Sequence, residues 1–508
     1  MKALSHAQTD NQSHSPERHS DNKGTVHFRN TSGESVSTGT LIESLLFHRE
    51  RERVSFHIPG HKQRGVAADL PKDHKVDLEF DVTELDGLDD LSYPTGVLFE
   101  LEARVSKLYG TETSILSVSG ASGGLLASIL AVSKRGSELL VPRNAHRSVI
   151  HALVLSGLKP RWYEPEWNSQ WGLWQSVNAE QLDEALFESS PHAVAGVLVV
   201  SPTYAGAVSD ISALAQVAHK HEVPLIVDEA QGAHFFPGLQ SPTLKRSITD
   251  SCVQQTPVRM PVSACQSGAD LIVHSFHKTI GAMTQTGAVH VASQNYVSAE
   301  DVRAALRLVS TSSPNYVLLS SIEHAIRWHE RQEGLENLAS VVALSQTLRA
   351  AFASKLEVYS PVHGFDPLHI LLGSPSLSGE QLNKFFESRG IFCEAVLGAG
   401  CLLMLGCGTA SSDLDLVIEV LEDLPSSSEI GRMVDVAKPE PIEQIISPRE
   451  AFFASTESVP ISRAGGRISA DCLAPCPPGM PICVPGARVA SNDVLALEGQ
   501  LRVLLESG

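Results

Sequence analysis

The chain has 508 residues, of which 42% are hydrophobic, and it carries a formal net charge of −19. Its length predicts about two to four domains. The excess of 58 acidic over 39 basic residues argues against nucleic acid as a main partner, because phosphate binding requires a basic face. Eight cysteines are too few for a disulfide scaffold in a chain of this length and indicate a reducing compartment.

Residues 1–38 are rich in Ser, His, Asn and Asp and lack apolar periodicity, so we predict a disordered tail. The beginning of this segment has no apolar stretch typical of a secretory signal. Nowhere does the sequence contain a run of about 18 apolar residues that could cross a membrane. These features predict a cytoplasmic protein without a membrane partner.

Between residues 110 and 300, short β-branched runs alternate with helical patterns such as "SALAQVAHKHE" (212–222). Continuous apolar segments bounded by Gly, Pro or polar residues are typical of strands that are buried on both faces. Four such segments are "GVLVVSPTY" (196–204), "PLIVDEA" (224–230), "ADLIVHSFH" (269–277) and "GAVHVA" (287–292). The alternation predicts an α/β domain with a mostly parallel sheet and helices on both faces.

Four parts of the chain follow from these patterns: the tail, a large domain over 39–300, a smaller α+β domain over 301–425, and a C-terminal domain over 426–508. Residues 241–266 lack periodicity and are predicted to form an inserted surface loop. Near the C-terminus, "CLAPCPPGMPIC" holds Cys472, Cys476 and Cys483 without a histidine-rich segment beside them. We therefore expect no metal site.

Chemically useful side chains follow the predicted strands. Ser201, Asp228 and Lys278 each come at or just after a strand end, and ligands of open parallel sheets bind beyond the carboxyl ends of the strands. Upstream, "SVSGASGGLLASILAV" (117–132) is a Gly- and Ser-rich turn that enters an apolar helix, which is a suitable seat for a phosphate. His146 precedes another predicted helix, where a capping role is the simpler interpretation.

Together these parts suit one cofactor, pyridoxal phosphate. Its aldehyde requires a lysine amine for a Schiff base, which Lys278 offers. Its protonated pyridine nitrogen requires a carboxylate such as Asp228. Its phosphate requires donors, which the turn from Ser119 to Gly124 and the hydroxyl of Ser275 supply, and its ring requires a flat neighbour such as His146.

The chain resembles the ornithine/lysine/arginine decarboxylase family of fold-type I pyridoxal-phosphate enzymes, in the short form without a separate N-terminal wing domain. The resemblance covers residues 40 to 490. The stretches that carry it are "FHIPGHKQRG" (56–65), "DVTELDGLDDLSYPTG" (81–96), "RNAHRSVIHA" (143–152), "SPTYAGAVSDI" (201–211), "VDEAQGAHF" (227–235), "GADLIVHSFHKTIGAMTQTG" (268–287), "STSSPNY" (310–316) and "PPGMPICVPG" (477–486).

The resemblance implies a seven-stranded, mostly parallel sheet in the large domain and decarboxylation of a basic amino acid. It implies catalytic roles for Lys278, Asp228, His146 and His277, with Lys278 or His277 returning a proton to the substrate. The cofactor contacts that it implies further are those of Ser119, Gly120, Ala121, Ser122, Ser201, Thr203, Ser275 and His277. It also implies a homodimer or larger homo-oligomer with the active site at the interface, where "STSSPNY" would approach the partner's cofactor.

The sequence departs from the family pattern at four positions. Ala121 lacks a hydroxyl and Gly124 stands for a side-chain amide in the phosphate turn, while Gln231 replaces a histidine and Ala205 an aromatic residue. A lost hydrogen bond to a charged group is worth roughly 1.5–3 kcal/mol, which would weaken cofactor binding without abolishing it. The departures leave open an altered substrate or reduced activity.

A basic substrate requires a distal carboxylate, and the acidic segment 81–96 offers Glu84, Asp86 and Asp89, although a solvated acidic loop is the simpler interpretation. We favour arginine over lysine and ornithine by analogy with short family members. Two alternatives remain. One is an aminotransferase or C–S lyase of the same fold, which Arg389, the single arginine between 357 and 410, does not favour. The other is an impaired family member that acts as a regulatory subunit.

Overall fold

A computed structural model of the chain describes residues 26–29, 35–51, 59, 78–187, 193–240, 260–424, 435–490 and 498–505. Apart from Pro59, the segment "FHIPGHKQRG" lies outside the described residues, as does most of the predicted N-terminal tail. Two short strands occur within that tail, however, and they pair antiparallel with Val26 opposite Thr38. The expectation of disorder throughout 1–38 therefore does not hold for these strands.

The strands are, in chain order, β1 (Val26–Arg29), β2 (Ser35–Thr38), β3 (Thr113–Ser117), β4 (Glu138–Pro142), β5 (Lys159–Tyr163), β6 (Trp167–Asn168), β7 (Leu173–Trp174), β8 (Val194–Val200), β9 (Leu225–Asp228), β10 (Leu271–Ser275), β11 (Gly287–Val291), β12 (Glu357–Val358), β13 (His369–Gly373), β14 (Ala395–Leu397), β15 (Gly400–Met404), β16 (Thr456–Pro460) and β17 (Gln500–Leu504). The α-helices are α1 (Leu41–Arg51), α2 (Val97–Tyr109), α3 (Gly120–Val132), α4 (Arg147–Ser156), α5 (Ala179–Phe187), α6 (Ile211–Lys220), α7 (Phe276–Thr279), α8 (Ala299–Val309), α9 (Tyr316–His329), α10 (Gln332–Phe352), α11 (Gly379–Glu387), α12 (Ser411–Glu422) and α13 (Pro448–Phe453).

The main sheet has seven strands in the order β3-β11-β10-β9-β8-β4-β5. Strands β10, β9, β8, β4 and β5 pair in parallel, and β11 runs antiparallel to its two neighbours. The four apolar segments identified in the sequence correspond to β8, β9, β10 and β11. The predicted α/β class and the mostly parallel seven-stranded sheet are confirmed.

The two faces of this sheet carry separate hydrophobic cores. On one face, Ile226, Val273 and Val289 belong to a core that includes apolar residues of α3, α4 and α8. On the other face, Val227 and Ile272 belong to a larger core that includes residues of α2, α6 and α9. Successive side chains of a strand point to opposite faces, which is why adjacent residues of β9 and β10 enter different cores. Burial on both faces explains the continuous apolar runs.

A second, antiparallel sheet in the order β12-β13-β15-β14 forms the core of the smaller α+β unit. Leu371 and Leu402 of this sheet pack with Trp171 and Ala205 of the large domain. Near the C-terminus, β16 and β17 form a two-stranded antiparallel sheet. Within the described ranges, every helix is too short or too polar to cross a bilayer.

The end of the predicted surface loop 241–266 is partly buried. Met260, Ser263, Ala264 and Cys265 are buried, and the N–H of Ala264 donates to Oε1 of Glu229 at 2.9 Å. Residues 241–259 lie outside the described part of the chain. The aperiodic sequence gave no sign of this burial because hydrogen bonds to a distant carboxylate, not periodicity, hold the segment.

Candidate active site

A cavity of about 420 Å³ opens beyond the carboxyl ends of β9 and β10. The first turn of α3, the residues before α4 and the short helix α7 contribute to its walls. The smaller α+β unit adds residues such as Glu394, and the C-terminal region adds Cys476, Pro477, Pro478 and Met480. Its location matches the rule that open α/β sheets bind ligands at this edge.

Lys278 and Asp228 both line this cavity, as the sequence predicted, and the charge of each affects the pKa of the other. Burial lowers the pKa of the Lys278 amine, and the negative charges of Asp228 and Glu394 partly offset that effect. Burial also raises the pKa of Asp228, which the charge of Lys278 and a hydrogen bond from the N–H of Ala230 (3.1 Å) oppose. A lysine with a lowered pKa presents more of the neutral, nucleophilic amine.

His146 lies at the N-terminal end of α4 and lines the cavity. Its Nδ1 accepts from the N–H of Ser148 at 3.2 Å and lies 2.8 Å from the Ser148 hydroxyl. Burial and the positive charge of Lys278 lower the pKa of His146 to about 4, so the ring is neutral near pH 7. The capping role and the cavity-lining role therefore belong to the same side chain.

The first turn of α3 forms one end of the cavity, with Ser119, Gly120, Ala121 and Ser122 in its wall. Gly120 has φ of +64°, and its N–H donates to the carbonyl of Gln285 at 2.7 Å. The N–H groups of a first helical turn have no partner within the helix, and the positive end of the helix dipole lies there. Ser275 adds a buried hydroxyl to the same cavity.

The remaining predicted cofactor ligands divide into two groups. His277 and Thr203 line the cavity, and His277 Nδ1 donates to the carbonyl of Thr286 at 3.2 Å. Ser201 is buried but is not part of the cavity wall, and its Oγ accepts from the N–H of Ser209 at 3.0 Å. Thr203 Oγ1 accepts in the same way from Ala207 N, so both hydroxyls stabilise the turn after β8.

The interpretation of Gly124 as a missing amide donor is wrong. A Cβ atom at this position would lie 2.8 Å from Val273 Cγ1 and 3.0 Å from Val289 Cγ2, so residue 124 faces the sheet. The following residue, Leu125, lines the cavity instead. Gln231 and Ala205 do line it, as their sequence positions suggested.

Two cavity residues, Tyr204 and Glu394, and one residue packed against the cavity residue His146, Gly479, were missed from the sequence. Tyr204, in the turn after β8, donates from its hydroxyl to Oε1 of Glu394, the residue before β14, at 2.5 Å. Gly479 packs so closely on His146 that a Cβ there would lie 2.8 Å from the imidazole, and the N–H of Arg147 donates to the Gly479 carbonyl at 2.9 Å. The stretch "PPGMPICVPG" was the available signal, since its resemblance to the family was recognised without a role.

The acidic segment 81–96 does not line this cavity. Both carboxylate oxygens of Asp89 accept from backbone N–H groups at or before the start of α2, those of Thr95, Gly96 and Leu98. Glu84 accepts from the Thr83 hydroxyl, and Asp86 is likewise outside the cavity wall. The carbonyl of Asp89 also accepts from the hydroxyl of Tyr316, so the segments 81–96 and 310–316 are neighbours. Their predicted contact with a substrate stays a prediction.

No arginine occurs among the described residues of the cavity wall. Arg389, which the aminotransferase alternative would use, pairs with Asp423 at 3.5 Å and stacks on Phe385 at 4.0 Å from the ring centre. It is therefore held on the surface of the smaller unit. This arrangement leaves the aminotransferase alternative without its carboxylate-binding arginine.

The donor set fits pyridoxal phosphate. A lysine with a lowered pKa, a buried carboxylate beside it and a helix N-terminus with two serine hydroxyls match the aldehyde, the ring nitrogen and the phosphate. Asn144 Oδ1 and Gln231 Oε1 are buried in the same wall without a hydrogen-bond partner. Fold and site thus define the class of α/β enzymes that bind this cofactor at the strand ends.

Two family models match the chain. The model "Orn/Lys/Arg decarboxylase, major domain" matches residues 40–385, and "Orn/Lys/Arg decarboxylase, C-terminal domain" matches residues 433–501. The chain belongs to the Orn/Lys/Arg decarboxylase family and is a pyridoxal-phosphate-dependent decarboxylase.

Similar proteins include an arginine decarboxylase from Bacillus cereus, 31% identical over 88% of this chain and 96% of the relative. An arginine decarboxylase from Bacillus subtilis is 29% identical over 89% of this chain and 92% of the relative. The solved structure of the Francisella novicida lysine decarboxylase LdcF has a TM-score of 0.72 at 18% identity and covers 91% of this chain and 81% of its own. At that identity the structural likeness supports the fold.

Proposed function

We propose that the chain decarboxylates arginine to the corresponding amine and CO₂, with lysine and ornithine as the other candidate substrates. The observation that carries the proposal is the pairing of Lys278 with Asp228 in a cavity that also contains the carboxylate of Glu394. Three relatives with 29–31% identity are named arginine decarboxylases, and these names favour arginine.

The predicted site residues have the following roles in this proposal. Lys278 would bind the cofactor aldehyde, Asp228 would hold a proton on the ring nitrogen, and neutral His146 would contact the ring. The first turn of α3, with Ser119, Gly120, Ala121 and Ser122, binds the phosphate together with Ser275 and His277. Thr203 lies near the ring hydroxyl, and Ser201 supports the turn that carries Thr203.

When bound, pyridoxal phosphate supplies an electron sink for the electron pair that remains at Cα after loss of CO₂. Asp228 helps to keep the ring nitrogen protonated, because a buried carboxylate is stabilised by a positive charge beside it, as the effect of Lys278 on the pKa of Asp228 shows. Lys278, with its lowered pKa, is able to give a proton to Cα and to recover it from water. His277 is the second candidate for this proton transfer.

The cationic end of the substrate requires a carboxylate, and the structure offers one within the chain. Glu394 is exposed to the cavity and is oriented by the hydroxyl of Tyr204. Glu84, Asp86 and Asp89 are the alternative, through the cavity of a second subunit. A comparison of Glu394→Gln with Asp86→Asn separates these two possibilities. The variant that removes the protein carboxylate bound to the cationic end of the substrate should raise KM for arginine, and the other variant should leave KM unchanged.

The proposed assembly is a homodimer with the cavity at the interface. Exposed apolar surface next to the cavity supports this assembly. The cavity residue Thr284 follows Met283, which is 49% exposed, and the N–H of Met283 donates to the hydroxyl of Ser321 on α9. Tyr93 (63% exposed) and Leu308 (80% exposed) add apolar surface beside the segments 81–96 and 310–316. Sedimentation of the purified chain tests this, and a monomer that is fully active would contradict it.

The proposed location is the cytoplasm. All seven cysteines in the described part of the chain are free of disulfides. Free thiols of this number are typical of a reducing compartment. Fractionation of the native cells with an antibody to the chain tests the proposal.

The decisive experiment measures CO₂ release from arginine, lysine and ornithine by the purified chain supplied with pyridoxal phosphate. We expect arginine to be the best substrate, and Lys278→Ala to reduce turnover by at least about 10⁴-fold and to abolish the visible absorbance of the lysine-bound cofactor. Lys107→Ala, an exposed lysine on α2, is the matched control. Keto-acid formation without CO₂, or colour without any turnover, would contradict the proposal.

A further inference from the structure

A second cluster of reactive side chains lies on the face of the main sheet opposite the cofactor cavity. It contains Cys265, His274 and His290, all of them buried. His274 on β10 and His290 on β11 point to the same face as Ile272, whereas Ser275 points to the cavity. The cluster belongs to none of the chemistry described above.

The potential ligand atoms of the three side chains converge. One nitrogen of each imidazole and the sulfur of Cys265 lie within 4.8 Å of one another. Nδ1 of His274 and Nε2 of His290 are buried without a hydrogen-bond partner. An unpaired polar atom in a core costs about 1–3 kcal/mol, so two adjacent ones in the same cluster require an explanation.

The other nitrogen of each ring is held in place by a neighbouring side chain. His274 Nε2 lies 2.7 Å from Oε2 of Glu229, and His290 Nδ1 lies 2.8 Å from the hydroxyl of Ser114. Metal-bound histidines have this arrangement, in which the outer nitrogen bonds a carboxylate or another oxygen and the inner one is free to bind the cation. Glu229 is fixed in turn by Ser263 (2.5 Å) and by the N–H of Ala264.

We propose that Cys265, His274 and His290 bind a divalent thiophilic cation of the zinc class. Two imidazoles and one thiolate are the ligand types that zinc prefers, and a water would complete the tetrahedron. With bond lengths of about 2.0–2.3 Å, ligand atoms around zinc are about 3.3–3.6 Å apart, so the cluster contracts slightly on binding.

Charge balance favours a divalent ion over a monovalent one. A dication, a thiolate at Cys265 and an ionised Glu229 sum to zero, which suits a buried site. Binding releases the thiol proton of Cys265, together with the proton that a buried Glu229 holds, to solvent, and no electron is transferred. Burial keeps the pKa of His274 at about 3, so its imidazole is already in the neutral form that binds metals.

The site joins parts of the chain that position the catalytic residues. Glu229 follows Asp228, and His274 precedes Ser275, so a cation here would fix both strand ends from behind. Cys265 would attach the segment before β10 to β10 and β11. The proposed site is separate from the cofactor cavity, because it shares no residue with the cavity wall.

The test titrates the full-length chain, freed of metal with a chelator, with Co²⁺ and follows the absorption of a cobalt–thiolate bond. We expect saturation near one equivalent per chain and displacement by Zn²⁺. The band should be lost in Cys265→Ala and in His290→Gln, and it should be retained in Cys401→Ala, a matched buried thiol of the smaller unit. Glu229→Gln should weaken cobalt affinity by about 10- to 100-fold.

Absence of the band in the wild-type chain, or its persistence in Cys265→Ala, would overturn the proposal. If the substitutions prevent folding, crystals of the wild-type chain grown with Zn²⁺ decide, because anomalous scattering locates the ion directly. A peak between the three side chains supports the site, and a peak elsewhere or none refutes it. Both readouts are independent of decarboxylase activity.

Discussion

At the ends of β9 and β10, the two faces of the sheet place similar residues in different surroundings. Asp228 and Ser275 face the cavity, whereas their chain neighbours Glu229 and His274 face the core on the opposite side of the sheet. Burial raises the pKa of both acids. For Asp228 the charge of Lys278 partly offsets that rise, whereas for Glu229 hydrogen bonds from Ser263 and from the N–H of Ala264 partly offset it. The period of two along a strand therefore places a reactive and a structural acid side by side.

The largest expected effect is on the cavity face. Asp228→Asn should lower decarboxylation by about 100- to 1,000-fold, because an amide does not stabilise a protonated ring nitrogen. The melting temperature should not fall, since the change removes a buried charge. Turnover and thermal unfolding of the same preparations measure both, and a variant that loses stability and activity together would break the distinction between the two faces.

Glu229→Gln should change the pH dependence of stability. Burial raises the pKa of Glu229 from its usual 4.5 to about 8, so the folded chain retains a proton that the unfolded chain releases. This group therefore contributes stability below pH 4.5 that decreases as the pH rises towards 8, with a slope of up to about 1.4 kcal/mol per pH unit.

Denaturant unfolding of metal-free wild type and Glu229→Gln between pH 6.5 and 8 checks this expectation. The wild type should lose stability relative to the variant across that interval, whereas its cofactor absorbance should be unchanged. Parallel pH profiles for the two proteins would show that the carboxyl is ionised throughout.

Gly124→Val tests the packing between α3 and the cavity face of the sheet. The new side chain would overlap Val273 and Val289, and overpacking of this kind costs about 1–3 kcal/mol. Gly408→Ala is the matched control, because a Cβ there has no atom within 4 Å. Thermal unfolding measures both variants, and equal stability would mean that the first turn of α3 moves freely away from the sheet.

The smallest effect concerns Asp89, which the sequence suggested as a substrate ligand. Asp89→Ala should cost about 0.5–2 kcal/mol, as expected for a lost helix cap. KM for the substrate should remain unchanged, because the carboxylate is already occupied by backbone N–H groups. A raised KM at unchanged stability would instead support a contact with the substrate of a second subunit.

Much of the cavity was accessible from the sequence because its chemistry follows strand ends. Lys278 and Asp228 were identified from apolar runs that stop at reactive residues, and Gly120 from a Gly-rich turn before a helix, whereas Ser201, identified in the same way, is buried outside the cavity wall. Tyr204, Glu394 and Gly479 were missed because they come from three distant segments. Gly124 was misread because the direction of a side chain on α3 depends on the sheet beneath it.

By itself the sequence determined the α/β class, the reactive residues at the strand ends and the family. The alternation of apolar runs and the local motifs are properties of neighbouring residues, so they can be read without the structure. Only the tertiary structure decided which side chains meet. The occupation of Asp89 by backbone N–H groups, the packing of Gly479 on His146, and the convergence of Cys265, His274 and His290 depend on contacts between residues far apart in the sequence. Such contacts are set by how sheets and helices pack in three dimensions, which no local pattern records.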